Sequence, residues 1–262
     1  MNAQLEAVKL QIMIITAIKT RAFIPPKDDL FQVLSESITS LKENSIVAIT
    51  SKVVAIGEGN CIKIEEIEKD ELIKKEADKY LPRELVPGAL VMYTLKNNIL
   101  VASAGIDESN GDGYYILWPK DPNKSAKEIC LFLKDKFKIQ NLGVIITDSR
   151  LVPLRQGVVG ISIGYFGFKP IKDYRGKKDI FGREFKMETS NIPDSLASAA
   201  VLEMGEGSEM QPVAVISDIS NIEFLDKQYQ PEDPGDSFDI DPEIDVFSPF
   251  LNSVKWEKGK KS

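Results

Sequence analysis

Short apolar blocks and polar blocks alternate along the whole chain, and their spacing predicts strands and helices in succession without an internal repeat. The run LQIMIITAI (10–18) reads as a first strand. Asp28 or Asp29 then precedes LFQVLSESITSL (30–41), the pattern of a helix capped by an acid, and SIVAITSKVV (45–54) alternates like a strand. EEIEKDELIKKEADKYL (65–81) predicts a charged helix with a solvated face. Strands follow at ALVMYTL (89–95) and NILVASAG (98–105), and the glycine-rich SNGDG (109–113) leads into YYILWP (114–119). In NKSAKEICLFLKDKF (123–137), Ser125 and Glu128 form a capping box, and Ala126, Ile129, Cys130, Leu133 and Phe137 share one face. GVIITDSRLVPLRQGVVG (143–160) predicts two buried strands around a polar loop, the second extended by ISIGYFGF (161–168). After the polar DYRGKKDIFGREF (173–185), a helix over IPDSLASAAVLEM (192–204) starts at Asn191 or Asp194 and stops at Gly205, and PVAVISDI (212–219) is the last core strand. The pattern is that of a protein with mixed α/β order. One main domain spans 1–226, and an acidic, proline-containing extension, 227–262, packs on it or trails from it.

Composition narrows the partners. With 43% hydrophobic and 28% charged residues the chain is an ordinary globular one. A net charge of −7 argues against a nucleic-acid partner, which calls for a basic face. The apolar run at 10–18 is too short for a bilayer and lacks the order of a signal peptide, so no membrane partner and a cytoplasmic location are expected. Cys61 and Cys130 show no pairing spacing; reduced thiols are expected, Cys130 in the core and Cys61 with nothing nearby to activate it. The absence of histidine removes the usual general base and zinc ligand, leaving carboxylates, Lys, Arg and hydroxyls. Those oxygens suit Mg²⁺ or Mn²⁺, ions that accompany phosphate chemistry. No P-loop occurs, GEGNC (57–61) lacks a dinucleotide fingerprint, and DIDPEID (239–245) reads as an acidic tail because Ile244 stands where a calcium loop needs glycine.

Three stretches place acids just beyond apolar runs: AGIDESNGDG (104–113), ITDSRLVPLRQG (146–157) and EMGEGSEMQP (203–212). Singly, Asp107, Asp148 and Glu206 are cap or turn acids. Together with Ser51 and Lys52 at the end of another strand, they point to a metal and nucleotide site. Asp148, Ser149, Arg150 and Arg155 would then hold a cation and an anion in one loop. Arg175 and Arg183 are open between surface ion pairs and substrate contacts. Tyr165, Phe166 and Phe168 read as core, and Trp118 is ambiguous.

Ten ordered motifs resemble the coenzyme F-420-0:L-glutamate ligases, also called F-420-0 gamma-glutamyl ligases, from about residue 12 to 218. They are DDL (28–30), SKVV-x-x-x-EG (51–59), AG-I-D-x-SN (104–110), DP-x-x-SA-x-x-I (121–129), the strand end at 143–149, P-x-R-x-G (153–157), DYRG (173–176), D-x-x-GR (179–183), D-x-L-A-x-AA (194–200), and MG followed by PVA (204–214). The resemblance implies an unusual α+β fold with two subdomains in an intertwined homodimer. It further implies a ligase that joins L-glutamate to a carboxylated cofactor through an acyl phosphate, with GTP (or ATP) as cosubstrate and Mg²⁺ or Mn²⁺. Carried over by motif, the metal ligands are Asp107, Asp148, Ser149 and Glu206, and the nucleotide is held by Ser51, Lys52, Asn110, Glu206, Gly207 and Gln211, with Thr20 and Arg21 expected to contact it at a position where the motif itself differs. Asp148, Arg150 and Arg155 are the catalytic candidates.

This sequence departs from the family pattern at Thr20-Arg21-Ala22, at Ile56 where a second lysine is usual, and at Val152 and Leu154, which replace an arginine and a tryptophan beside a new Arg150. These exchanges favour a folate acceptor, as in a folylpolyglutamate synthase-like branch, over F-420-0. A nucleotide- or pterin-binding homologue without turnover and a metal-dependent phosphohydrolase are the readings from other classes.

Overall fold

The computed structural model describes residues 12–220, 222–225 and 239–260. Its central sheet is built from β1 (Ile14–Ile18), β2 (Ser45–Thr50), β8 (Leu142–Leu151), β9 (Val158–Phe166) and β12 (Val213–Ser217), in the order β1-β12-β2-β8-β9. A second sheet joins β4 (Lys79–Tyr80), β5 (Tyr93–Lys96), β6 (Ile99–Ala102) and β13 (Glu257–Lys258) in the order β13-β4-β5-β6. Two ribbons complete the strands: β3 (Cys61–Lys63) with β7 (Tyr114–Ile116), and β10 (Ile171–Asp173) with β11 (Thr189–Asn191). The helices are α1 (Leu30–Ser37), α2 (Ser51–Glu58), α3 (Lys69–Glu76), α4 (Pro122–Phe137), α5 (Ile192–Met204) and the short α6 (Ser248–Leu251).

Unbroken apolar runs explain the centre of the sheet. β2 and β8 pair in parallel from Ser45–Leu142 to Thr50–Thr147, and both are buried on either face, the setting in which a parallel pair is stable. On one face Leu34 and Ile38 from α1 and its cap, with Ile129 and Leu133 of α4, pack against Val47, Ile49, Val144 and Ile146. On the other, Leu196, Ala197, Ala200 and Met204 of α5 cover Ile46, Ala48, Ile145 and Ala214. A Cβ at Gly160 would lie 2.6 Å from the Ala197 carbonyl oxygen, so glycine is what lets α5 lie this close to β9. A separate cluster of Leu72, Ile73, Met92, Ile106, Tyr115 and Leu117 supports the second sheet.

The helix signals place α1 and α5 well. Asp29 caps α1 by accepting the Gln32 N–H at 2.9 Å, and Asn191 caps α5, which stops at Gly205. α1 ends at Ser37, short of residue 41. For α4 the cap is Asp121, not Ser125: Asp121 accepts the Lys124 N–H at 2.9 Å with Pro122 in the first turn, and the Ser125 hydroxyl instead donates to Glu58 Oε1 at 2.6 Å.

The predicted strand at 45–54 is corrected at Ser51, where α2 begins. Val53, Val54, Ala55 and Ile56 are all buried, in two different clusters, which a helix wedged between them permits and an alternating strand does not. The charged helix is shortened to α3, because residues 79–80 leave it to join the second sheet. At 89–92 a turn replaces the start of the predicted strand, and β6 stops at Ala102 instead of running to residue 105. The polar segment 173–185 is a connection between β10 and β11.

Residues 10 and 11 of the first predicted strand and residues 227–238 and 261–262 of the acidic extension lie outside the described residues. The later part of that extension returns to the body. β13 pairs antiparallel with β4, Tyr80 Oη donates to Glu257 at 2.5 Å, and the Gly259 N–H donates to the Asp78 carbonyl at 2.9 Å. Among the described residues no helix is long and apolar enough to cross a membrane.

Candidate functional site

A cleft of about 840 Å³ opens at the carboxyl ends of β2 and β8, a common place for a ligand in sheets with parallel strands. Its walls are the start of α2, the turn after β6 and the loop after α5. Lys52, in the first turn of α2, reaches Asp107 Oδ2 at 2.7 Å and donates to the Ser109 carbonyl at 2.8 Å and hydroxyl at 3.0 Å. Asp107 Oδ1 accepts the Ser109 N–H at 2.7 Å, so the carboxylate is held by its own turn and by the lysine. Asn110 Nδ2 donates to the Gly207 carbonyl at 3.2 Å, tying this turn to the loop after α5. The far end of that loop is fixed by the Thr20 N–H on the Met210 carbonyl and the Thr50 N–H on the Pro212 carbonyl, each at 3.0 Å. Gln211 lines the cleft between these two anchors.

Asp148 stands towards the end of β8 after six buried residues. Its Oδ1 accepts the Ser149 N–H at 2.8 Å and its Oδ2 accepts the Trp118 indole N–H. The Ser149 hydroxyl donates to Glu206 Oε1 at 2.7 Å. Burial lifts the Asp148 carboxyl from 3.8 to about 6; the Ser149 and Trp118 donors oppose the rise, and the charges of Asp107 and Glu206 add to it. Burial also opposes ionisation of Asp107, but Lys52 and Ser109 outweigh it and hold that carboxyl below its ordinary value. Arg21 lines the cleft while gripping Asp28 with two bonds, of 2.5 and 2.8 Å, and the guanidinium keeps Asp28 well below the usual carboxylate range.

Among the described residues no three acids stand close enough together to form a ready cage for a metal. The donor chemistry nonetheless fits a hard divalent cation: carboxylates of Asp107, Asp148 and Glu206 and the Ser149 hydroxyl face one cleft, and burial, with a smaller addition from the charges of Asp107 and Glu206, raises the proton affinity of Asp148.

Thr20, Arg21, Ser51, Lys52, Asp107, Asn110, Asp148, Ser149, Glu206, Gly207 and Gln211 therefore meet in a single cleft. Arg150 and Arg155 do not line it. Instead of a loop folding around an anion at Asp148, β8 continues to Leu151 in register with β9, with Arg150 opposite Val159. Arg155 follows in the exposed turn, donating to the Leu154 carbonyl at 3.2 Å. Val152 and Leu154 are on the same turn, and Leu154 is 97% exposed.

Residues 18–218 match the family described as F420-0:Gamma-glutamyl ligase. The chain belongs to this ligase family. Its relatives include proteins named Coenzyme F420:L-glutamate ligase. That of Methanopyrus kandleri is 36% identical, with 73% of this chain and 81% of the relative covered. That of Methanothermobacter thermautotrophicus is 33% identical, with 70% and 78% covered, and that of Archaeoglobus fulgidus is 32% identical, with 72% and 81% covered. The match with the ligase family includes every wall of the cleft, whereas β13 and α6 lie beyond the matched residues.

The structure adds residues to the site that sequence patterns did not single out. Ser109 holds both Lys52 and Asp107, and Trp118, 1% exposed, donates to Asp148. The signal for the first was its place in the AG-I-D-x-SN motif just after Asp107; nothing local marks the second. Elsewhere, Arg175 is engaged with Asp173 at 2.7 Å and Phe168 is fully buried. Burial pushes both the Cys61 and Cys130 thiols up to about 11, which leaves neither activated.

Proposed function

We propose that the chain is a gamma-glutamyl ligase that joins L-glutamate to a carboxylated F-420-type acceptor, with a nucleoside triphosphate as cosubstrate and Mg²⁺ or Mn²⁺ as cofactor. The observation that carries this reading is the meeting, in one cleft, of a helix start bearing Ser51 and Lys52 with the oxygen set of Asp107, Asp148, Ser149 and Glu206. No side chain caps the N-terminus of α2, so its first N–H groups are available to an anion, and Lys52 adds a point charge beside them. These groups hold the nucleotide phosphates. When bound to the neighbouring oxygens, the cation supplies neutralisation of charge on the transferring phosphoryl group.

In the reaction proposed, an acceptor carboxylate oxygen attacks the gamma-phosphorus and the nucleoside diphosphate leaves. The glutamate amine then attacks the acyl carbon, inorganic phosphate departs and the amine loses a proton. The protein's part is placement: Asn110 and the 205–212 loop close one wall over the nucleotide, while Asp107 and Asp148 fix the other. Of the exchanges that favour a folate, Arg150, Val152 and Leu154 stand outside the lining of the cleft while Thr20, Arg21, Ala22 and Ile56 line it, and the acceptor named for the relatives is preferred.

Incubation of the purified protein with glutamate, GTP or ATP, Mn²⁺ and either F-420-0 or tetrahydrofolate, followed by mass spectrometry, tests the reading. A glutamyl adduct of F-420-0 supports it. An adduct of the folate alone moves the acceptor, phosphate release without glutamate makes the protein a hydrolase, and nucleotide binding without turnover makes it a binding protein. We also infer a homodimer, supported by the exposed apolar residues Leu154, Val158, Ile180 and Phe181. A monomeric mass by light scattering at micromolar concentration would refute it.

A further inference from the structure

The two tryptophans satisfy their indole N–H groups in different ways. Trp256, partly buried, donates to the Leu251 carbonyl at 2.7 Å, an ordinary structural bond. Trp118 is buried, and its donor is spent on the carboxylate of Asp148. A buried indole N–H needs some acceptor, but a backbone carbonyl would serve the fold equally well. A bond to an ionised oxygen is stronger and fixes the orientation of the group that accepts it.

The surroundings hold the ring with little slack. A Cβ on Gly105 would lie 2.0 Å from the Trp118 Nε1, so the backbone passes directly over the donor atom. Ser103, Ala104 and Gly105 all adopt positive φ, of 53°, 52° and 70°. For the first two this is unfavourable and persists only because the surroundings over-determine it. Thr94 Oγ1 accepts the Ala104 N–H at 2.9 Å, and the Ser103 N–H donates to the Met92 carbonyl at 2.7 Å. On the ring itself the Lys96 ammonium lies 5.4 Å from the centroid, and it also pairs with Glu76 at 2.8 Å. The same turn continues into Asp107, so one strained element sets both the indole and a second carboxylate of the cleft.

We propose that Trp118 is a positioning residue: its N–H pins one oxygen of Asp148 so that the carboxylate presents a single orientation to a divalent cation in the cleft. This rests on the cation reading given above. Partners that orient a ligand in this way typically govern metal affinity by about 10–100-fold.

The test uses the full chain and Mg²⁺ or Mn²⁺ as the probe. Trp118→Phe keeps the ring beneath Gly105 and removes only the donor. Calorimetric Mn²⁺ binding to this variant should weaken by about 10–100-fold, with its urea midpoint close to that of the parent. Equal affinity in a folded Trp118→Phe, while Asp148→Asn loses binding, overturns the positioning role and leaves the cation reading standing. Absence of Mn²⁺ binding by the unmodified protein overturns both. Should Trp118→Phe not fold, ¹⁵N-indole labelling of the parent decides the matter, with the Trp256→Phe variant assigning the two indole resonances. The Trp118 N–H signal should shift on Mg²⁺ addition in the parent and not in Asp148→Asn, whereas a Trp118 signal unmoved by saturating Mg²⁺ in the parent refutes the proposal.

Discussion

Replacing Asp148 by Asn should change the pH dependence of stability in a direction opposite to the usual effect of losing a buried carboxylate contact. In the folded, cation-free protein the carboxyl titrates near 6, against 3.8 for the ordinary group, chiefly because it is buried. Between these values the native state holds a proton that the unfolded chain has released, so stability falls as pH rises. At about 1.4 kcal/mol per pH unit the gap is worth about 3 kcal/mol, absent well below pH 4 and fully present above pH 6. Asn removes that dependence. It also sets an amide N–H₂ or a lone carbonyl against two donors, the Ser149 N–H and the Trp118 indole, at a cost of about 1–3 kcal/mol that does not vary with pH. The constant cost sets the offset between variant and parent, and the titration alone sets its slope. Urea unfolding in the presence of a chelator, from pH 4 to pH 7.5, should show the variant gaining on the parent by about 2–3 kcal/mol as pH rises. A difference that stays flat across that range refutes the claim that Asp148 is held ionised against its surroundings. Repeating the series with saturating Mg²⁺ should shrink the effect, because a cation would stabilise the ionised parent and not the amide.

Arg155→Ala should leave nucleotide and Mn²⁺ binding within about twofold, since exposed side chains outside a site rarely contribute more; a loss beyond tenfold would place its turn against a cleft, its own or a partner's. Gly105→Ala should destabilise the fold by more than about 1 kcal/mol, because a side chain there meets both the positive φ and the Trp118 ring, and an unchanged urea midpoint would contradict the close approach. Asp28 is held below its ordinary value by Arg21, so its contribution to stability is present above about pH 4 and is lost as pH falls further; Asp28→Asn should flatten the acid limb of a thermal melt series, and an unaltered limb would show the pair to be silent.

What could be read from the chain followed how local each signal was. The face of α4 carrying Ala126, Ile129, Cys130 and Leu133 and the polar caps of α1 and α5 are decided within a turn or two of helix, and they stand as the spacing implied. α2 was hidden because two adjacent valines and a threonine favour strand, and only burial in two clusters at once selects the helix. The acids of the cleft were legible from where apolar runs stop and from family motifs. The arginines were not placed, because whether a chain turns or keeps pairing beyond Asp148 depends on β9. Trp118 was the least legible, since its role depends on Gly105 and Asp148, residues 13 and 30 positions away in opposite directions.

The parallel pairing of β2 with β8 joins residues 45–50 to 142–147, so everything between them forms a single long crossover. That crossover carries β4, β5 and β6 of the second sheet, the ribbon of β3 and β7, and the wall of the cleft that bears Asp107 and Asn110. Trp118 belongs to the same excursion and reaches back to Asp148 on β8, so the panel that walls the cleft is also fastened to the sheet it faces. A change that displaces this panel therefore disturbs Asp107 and the support of Asp148 together, although the two acids stand on separate elements.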